Sequence, residues 1–344
     1  MVLSLIGLLI IFGAAGTPLP TTVALAKASL PTATGHPIEP TPYRQPLTTS
    51  HLLMKVDVQR TMIEPIGRAA TLTKTVSSKA TSTPKPTATP FPVTPGVVNA
   101  VAVDQFLVMP ADAQQTMRDV FATGQALGRN ARAFSTAGDS TIETPYFLGP
   151  FSTTQYNLGG YGYLQPAIDF FAGSFGRDSA AVRIGQHSWS VLNPLWADKK
   201  RCESNESPLA CEFRLNQPSV LIIRLGVNDA GVPKLFDTNL RKIVDFAIEQ
   251  GVIPILSTKP DQRAGTDTVN DLVKQIAVDY KLPLWDYERV AKTLPGRGLG
   301  ADGAHMTSFW QNDYRLPQAY TRGHALQNIT ALMVLDRVRQ ALNP

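Results

Sequence analysis

Val220-Leu221-Ile222-Ile223-Arg224-Leu225-Gly226-Val227-Asn228-Asp229 is the most telling stretch of this 344-residue chain. Residues 220–225 form a near-continuous apolar run, the pattern of a strand covered on both faces inside a parallel sheet. Gly226 ends the run. Downstream, Thr238 to Gln250 is amphipathic and stops at Gly251, as a helix does. Val252 to Leu256 then predicts a strand, Thr268 to Tyr280 a helix, Leu282 to Trp285 a short strand, and Gly323 to Leu342 a closing helix. Upstream, Met117, Val120, Phe121 and Leu127 give Asp112 to Leu127 an apolar stripe and predict a helix. Ala131 to Thr136 and Ala180 to Ile184 predict two more strands. Strands alternating with helices mean an α/β fold with a mostly parallel sheet covered on both faces. In such sheets a site forms at the carboxyl ends of the strands.

Chemistry-bearing residues fall at those ends. Ser140 lies in Gly138-Asp139-Ser140, just after the first strand, Gly185 after the second, and Asn228 after the third. Asp302 and His305 follow in Asp302-Gly303-Ala304-His305. A serine hydroxyl is a weak nucleophile until a base takes its proton. Three residues apart on a turn, Asp302 can orient the His305 imidazole so that its other nitrogen faces Ser140. The competing structural roles are an N-cap for Ser140, a turn residue bonding its own backbone for Asn228, and a surface turn for the Asp302/His305 pair. The chain contains no Gly-x-Ser-x-Gly elbow, which argues against an α/β-hydrolase fold.

In these blocks the chain resembles the SGNH, or GDSL-type, hydrolases over roughly residues 130–310. Ala137-Gly138-Asp139-Ser140-Thr141 is similar to the first block of that family, Gly226-Val227-Asn228-Asp229 to the third, and Asp302 with His305 to the fifth. Arg183-Ile184-Gly185-Gln186-His187-Ser188-Trp189 stands where the family reads Asn-x-Gly-x-x-Gly, so Gly185 fits while Arg183 and Ser188 depart. Thr141 replaces the leucine that gives the family its name. The resemblance implies a three-layer α/β/α sandwich of flavodoxin-like type. It also implies Ser140 as nucleophile, His305 as base and Asp302 as its orienter. The oxyanion would be held by the Ser140 and Gly185 amides and the Asn228 side chain. On this reading Asp139 is a structural hydrogen-bonder, Asp229 caps the turn that follows it, His187 makes a structural hydrogen bond or lines the pocket, and His324 packs on the last helix. No metal or organic cofactor is implied.

The rest of the chain bounds where such a domain works. Residues 1–26 read as a signal peptide or membrane anchor: 2–16 are almost wholly apolar, about the length of a signal-peptide core, and Ala24-Leu25-Ala26 offers a small-x-small cleavage site. Residues 27–96 are rich in Pro and Thr and read as an extended tether. They carry eight Lys/Arg against three Asp/Glu, whereas residues 97–344 carry 24 of each, so the net charge of +5 belongs wholly to the tether. A neutral domain lacks the basic face that nucleic-acid binding needs. A basic tether suits a position near anionic wall polymer or lipid. Cys202 and Cys211, close together in a polar segment of an exported chain, suggest a disulfide in the loop before the residue-220 strand.

These readings converge on an exported, monomeric serine hydrolase that cleaves esters through an acyl-enzyme. Its substrate class is open: O-acetyl groups of extracellular polysaccharide, a lipid or lysophospholipid, or a short-acyl ester. A non-catalytic binding module on the same fold, and acyl transfer in place of hydrolysis, are the alternatives.

Overall fold

The structure, a computed structural model, describes residues 93–342. The apolar run at 2–16, the cleavage site at 24–26, His36, His51 and the Pro/Thr-rich stretch up to residue 92 lie outside the described residues. The folded part opens slightly earlier than residue 97, because Val93 packs against the core. A small hairpin pairs Val97–Val98 (β1) with Val101–Ala102 (β2). There follow Val103–Phe106 (α1), Leu107–Val108 (β3), Ala111–Ala126 (α2), Asn130–Gly138 (β4), Gln165–Phe170 (α3) and Pro208–Asn216 (α4). Pro218–Arg224 (β5), Pro233–Glu249 (α5), Ile253–Ser257 (β6), Thr266–Asp279 (α6), Leu284–Trp285 (β7), Tyr287–Ala291 (α7) and Gly323–Leu342 (α8) complete the order.

The main sheet has five strands in the order β3-β7-β6-β5-β4. β4, β5, β6 and β7 are parallel, and only the two-residue edge strand β3 is antiparallel. β5 lies at depth, with all seven residues buried. Its side chains alternate between two cores. Val220 and Ile222 face a core shared with α8, α7, Phe134 and Trp285. Leu221 and Ile223 face a second core built with α5, α6 and Phe213 of α4. This alternation is what makes three layers: the strand period of two sends successive residues to opposite faces, and each face must be covered. Each fully buried aliphatic side chain here contributes about 1.5–3 kcal/mol through removal from water.

Two expectations need correction. Residues 180–184 do not form a strand: only Val182 bridges to Gly138. The outer edge of β4 is instead satisfied piecemeal. Ser174 Oγ accepts the Phe134 N–H (3.1 Å), Asn216 Nδ2 donates to the Phe134 carbonyl (2.8 Å), and Ser179 Oγ donates to the Thr136 carbonyl (2.7 Å). Those side chains occupy the positions that a sixth strand's backbone would fill. Secondly, Cys211 lies in a helix rather than in a loop. Ser207 caps α4, its Oγ accepting the Ala210 N–H (3.2 Å), and Pro208 sits at the first helical position. Cys211 is fully buried there and is bonded to Cys202.

Candidate active site

β4 delivers the first block. A Cβ on Gly138 would collide with the Ile142 side chain and the Arg224 carbonyl, so only glycine lets the strand end here. Asp139 is extended, and its Oδ1 accepts both the Thr141 N–H (3.0 Å) and the Thr141 hydroxyl (2.8 Å), closing the single turn Ser140–Ile142. Thr141 therefore supplies a hydroxyl to lock the Ser140 turn where the family resemblance expects a leucine. Asp139 is completely buried with its Oδ2 unpartnered, and burial pushes its carboxyl upward despite the nearby Lys259 and Arg224 charges.

The last block sits on the 298–307 loop. Gly303, at φ +65°, makes the turn, and Asp302 Oδ1 accepts the Ala304 (3.1 Å) and His305 (3.0 Å) amides. Buried Ala304 and Met306 anchor the loop on either side of His305. Asp302 Oδ2 lies 2.5 Å from His305 Nδ1, and His305 Nε2 lies 2.9 Å from Ser140 Oγ. The bond from His305, then the two amides, hold the Asp302 carboxyl well below the usual carboxylate range. In the tautomer that carries its proton on Nδ1, directed at the Asp302 carboxylate, the Nε2 lone pair of His305 faces the serine O–H. The Asp302 and His305 side chains are both 52% exposed, so the relay lies open to an incoming ligand.

The second and third blocks are tied together. Asn228 follows β5 through Leu225 and Gly226, and its Nδ2 donates to the Gln186 carbonyl at 3.0 Å, leaving its second N–H uncommitted. Gly185 adopts φ +73° in open space. Among the described residues the Gly185 and Ser140 N–H groups donate to no protein acceptor. Asp229 departs from expectation. Its buried carboxylate reaches across to the second block, accepting the Ser188 N–H (3.1 Å) and hydroxyl (2.8 Å), instead of capping its own turn. A serine at 188 in place of glycine thus has a buried partner. His187 makes no hydrogen bond through Nδ1, which stands 3.7 Å from Asp229 Oδ1; its ring stacks on Trp189 at 5.8 Å.

Three features escape a reading of the blocks. A buried polar network underlies the Ser140–Ile142 turn. Arg224, fully buried between the rings of Trp285 (4.3 Å) and Tyr287 (4.8 Å), donates to Ser257 and to Gln327, whose amide donates to the Thr141 carbonyl. Beside it, Lys259 pairs with Asp261 at 3.2 Å with both side chains fully buried. The one sequence signal was a charged residue inside an otherwise apolar strand. Secondly, His324 is more than a packing residue: it lines a cavity of about 200 Å³ with Tyr146, Ser308, Phe309 and Trp310. Burial, then the His305 and Arg224 charges, push its pKa down to about 4. Thirdly, Arg183, Trp189 and Trp196 form a second aromatic cluster beside Gly185.

No family model and no curated protein matches the chain. Among solved structures it is similar to a lipase/acylhydrolase from Enterococcus faecalis, at 18% identity and TM-score 0.38 over 61% of this chain and 96% of that one. It is similar to the psychrotrophic esterase EstA from Pseudoalteromonas sp., at 16% and 0.39 over 61% and 99%. A catalytic mutant of an acetylxylan esterase from Geobacillus stearothermophilus is a third, at 15% and 0.36 over 61% and 94%.

Proposed function

We propose that the chain is a serine esterase of the SGNH type, with Ser140 as nucleophile. The continuous relay from Asp302 through His305 to Ser140 Oγ carries this reading. As Ser140 Oγ adds to the ester carbonyl, His305 Nε2 takes its proton, and Asp302 stabilises the imidazolium that forms. The resulting oxyanion faces the Ser140 and Gly185 amides and the free N–H of Asn228, donors fixed before the charge develops. His305 then returns the proton to the departing alcohol, leaving an acyl-serine. Water repeats the sequence and releases the acid.

The finer reading is an exported esterase that removes O-acetyl groups from extracellular polysaccharide. The apolar segment at 2–16, the Pro/Thr-rich stretch and the Cys202–Cys211 bond support work outside the cell, since disulfides persist in oxidising compartments. Among the described residues no helix is long and apolar enough to cross a membrane. Ser140→Ala is expected to abolish p-nitrophenyl acetate hydrolysis by several orders of magnitude while leaving the circular dichroism spectrum intact. A fluorophosphonate should label the wild-type chain at Ser140. Near-normal turnover in folded Ser140→Ala protein would end the esterase reading.

A further inference from the structure

The stretch 183–201 gathers apolar side chains that the fold leaves outside. Leu195 is 83% exposed and Ile184 68%, and Trp189 and Trp196 are exposed with them. The two indoles meet edge-on at 5.0 Å, and the Arg183 guanidinium stands 5.4 Å over the Trp196 ring. Arg183, Leu195, Trp196, Lys199 and Arg201 line one depression of about 510 Å³. Ile184 follows Arg183 directly, so these side chains belong to one patch. Single exposed apolar residues are ordinary, but a contiguous group of them marks a contact surface.

The backbone beneath the patch is fixed. Ser188 is tied to the buried Asp229 carboxylate, and Val191 packs into the core on the α5 and α6 face. Asn193 Oδ1 accepts the Leu195 N–H (3.0 Å) and starts the turn Pro194–Trp196. The Asp198 carbonyl accepts the Arg201 (3.0 Å) and Cys202 (2.8 Å) amides, and Cys202 is bonded to Cys211 of α4. A surface already ordered loses little freedom when it meets a partner.

Charge sets the class of partner. Arg183, Lys199, Lys200 and Arg201 flank the apolar group, with Asp178 and Asp198 as the carboxylates among them. Asp178 lies 3.4 Å from Arg201, and Asp198 Oδ1 accepts the Lys200 N–H (2.9 Å). Glu203 and Glu206, next along the chain, pair with Arg214. The patch thus holds an excess of two cations in a domain whose charges balance overall. Lysines are depleted where two proteins meet. A nucleic acid offers bases for the indoles to stack on but no apolar interior for Leu195 and Ile184. A bilayer supplies every part: hydrocarbon for the aliphatic side chains, a boundary that favours indoles, and phosphates within reach of long cationic side chains.

We propose that this patch seats the folded domain on an anionic lipid bilayer. Leu195 and Ile184 enter the acyl region, Trp189 and Trp196 lie at headgroup level, and Arg183, Lys199 and Lys200 meet lipid phosphates. The contact is made by the domain itself and does not rest on the esterase reading. Because Gly185 adjoins Ile184, docking also brings the Gly185 turn to the surface, whatever reaction is run there.

All four tryptophans of the chain, Trp189, Trp196, Trp285 and Trp310, lie in this domain, so their emission reports on it and not on residues 1–92. The test mixes the full-length chain with vesicles of equal phosphatidylglycerol and phosphatidylcholine, brominated on their acyl chains. Tryptophan emission should be quenched as lipid is added. Vesicle binding through residues 1–92 alone leaves these indoles in water and quenches nothing. Phenylalanine at both 189 and 196 should abolish the quenching, whereas Trp310→Phe should leave it. Lys200→Glu should raise the lipid needed for half-quenching about fivefold or more, and Leu195→Asn about tenfold. The Lys200 side chain makes no bond among the described residues, so its replacement guards against misfolding as the cause. Several results would overturn the proposal: no quenching, equal quenching on pure phosphatidylcholine, quenching that outlasts both indoles, or indifference to Lys200→Glu and Leu195→Asn together. Lipid-free association of copies that Trp196→Phe abolishes, or capture on heparin without quenching, would assign the patch to a different partner and overturn it equally.

Discussion

At the scale of single residues, Asn228 is where geometry can be tested apart from residue type. It follows β5, a strand buried along its whole length, and its carboxamide is held by the Gln186 carbonyl. Asn228→Ala removes the N–H that the proposed oxyanion hole would use and leaves Ser140 and His305 in place. A fall of about 10²–10³ in kcat with little change in KM is expected, because the donor matters most when charge develops. Steady-state kinetics on p-nitrophenyl acetate reads this directly. His324 gives a second test. Its folded pKa is depressed to about 4, against about 6.5 for a histidine in the unfolded chain. Between those values the unfolded chain binds a proton that the folded one refuses, so stability falls as pH drops from about 6.5 towards 4 and levels off below. His324→Gln should flatten that part of a melting-temperature profile, by a difference on the order of 2 kcal/mol. Equal slopes in both proteins would remove this account. The contrast between these residues explains what the sequence could reveal. Ser140, Asn228, Asp302 and His305 stood out because each sits in a short block whose residue types carry chemistry. His324, Tyr146 and Trp310 meet only through the fold, and no local pattern marks them. The reach of Asp229 across to Ser188, 41 residues away in sequence, was invisible for the same reason.

Among elements, periodicity made legible whatever is long and regularly buried. The run at 220–225 became β5, and the amphipathic stretch at 238–250 became the body of α5, which starts earlier at Pro233 because proline suits a first helical turn. The closing helix spans Gly323–Leu342 as the pattern implied. Failures came where burial and period part company. Residues 180–184 are apolar enough for a strand, but the edge they would pair with is already occupied by serine and asparagine side chains. α4 was obscured by its polar residues, although one of them, Glu212, is completely buried and bonds Ser135 Oγ (2.7 Å) and the Ala180 N–H (2.8 Å). Contact between elements can be equally exacting. α2 approaches the turn after α5 so closely that a Cβ on Gly124 would strike the Gly251 carbonyl. Gly124→Ala, ordinarily favourable in a helix, is therefore expected to destabilise the protein by about 1–3 kcal/mol. Urea denaturation checks the sign, and a gain in stability would show that the two elements can separate without cost.

For the whole molecule, the Cys202–Cys211 bond joins the 198–206 turns to the buried end of α4, across a sequence separation of nine. Its contribution is expected to be about 2.5–3 kcal/mol. Reduction should then lower the melting temperature by about 5–12 °C for a domain of this size, measurable by differential scanning calorimetry with and without reductant. Unchanged melting under full reduction would mean that α4 holds its neighbours unaided. The filled margin of β4 has a broader consequence. A parallel sheet normally ends in a row of free amides and carbonyls, ready to recruit a strand from another molecule. Here one margin is closed by Ser174, Ser179, Asn216 and the Val182 bridge, and the other is a strand of only two residues. Neither side offers a template for growth. Among the described residues, then, the side chains that displaced a sixth strand also deny this sheet the pairing edge through which one copy could add to another.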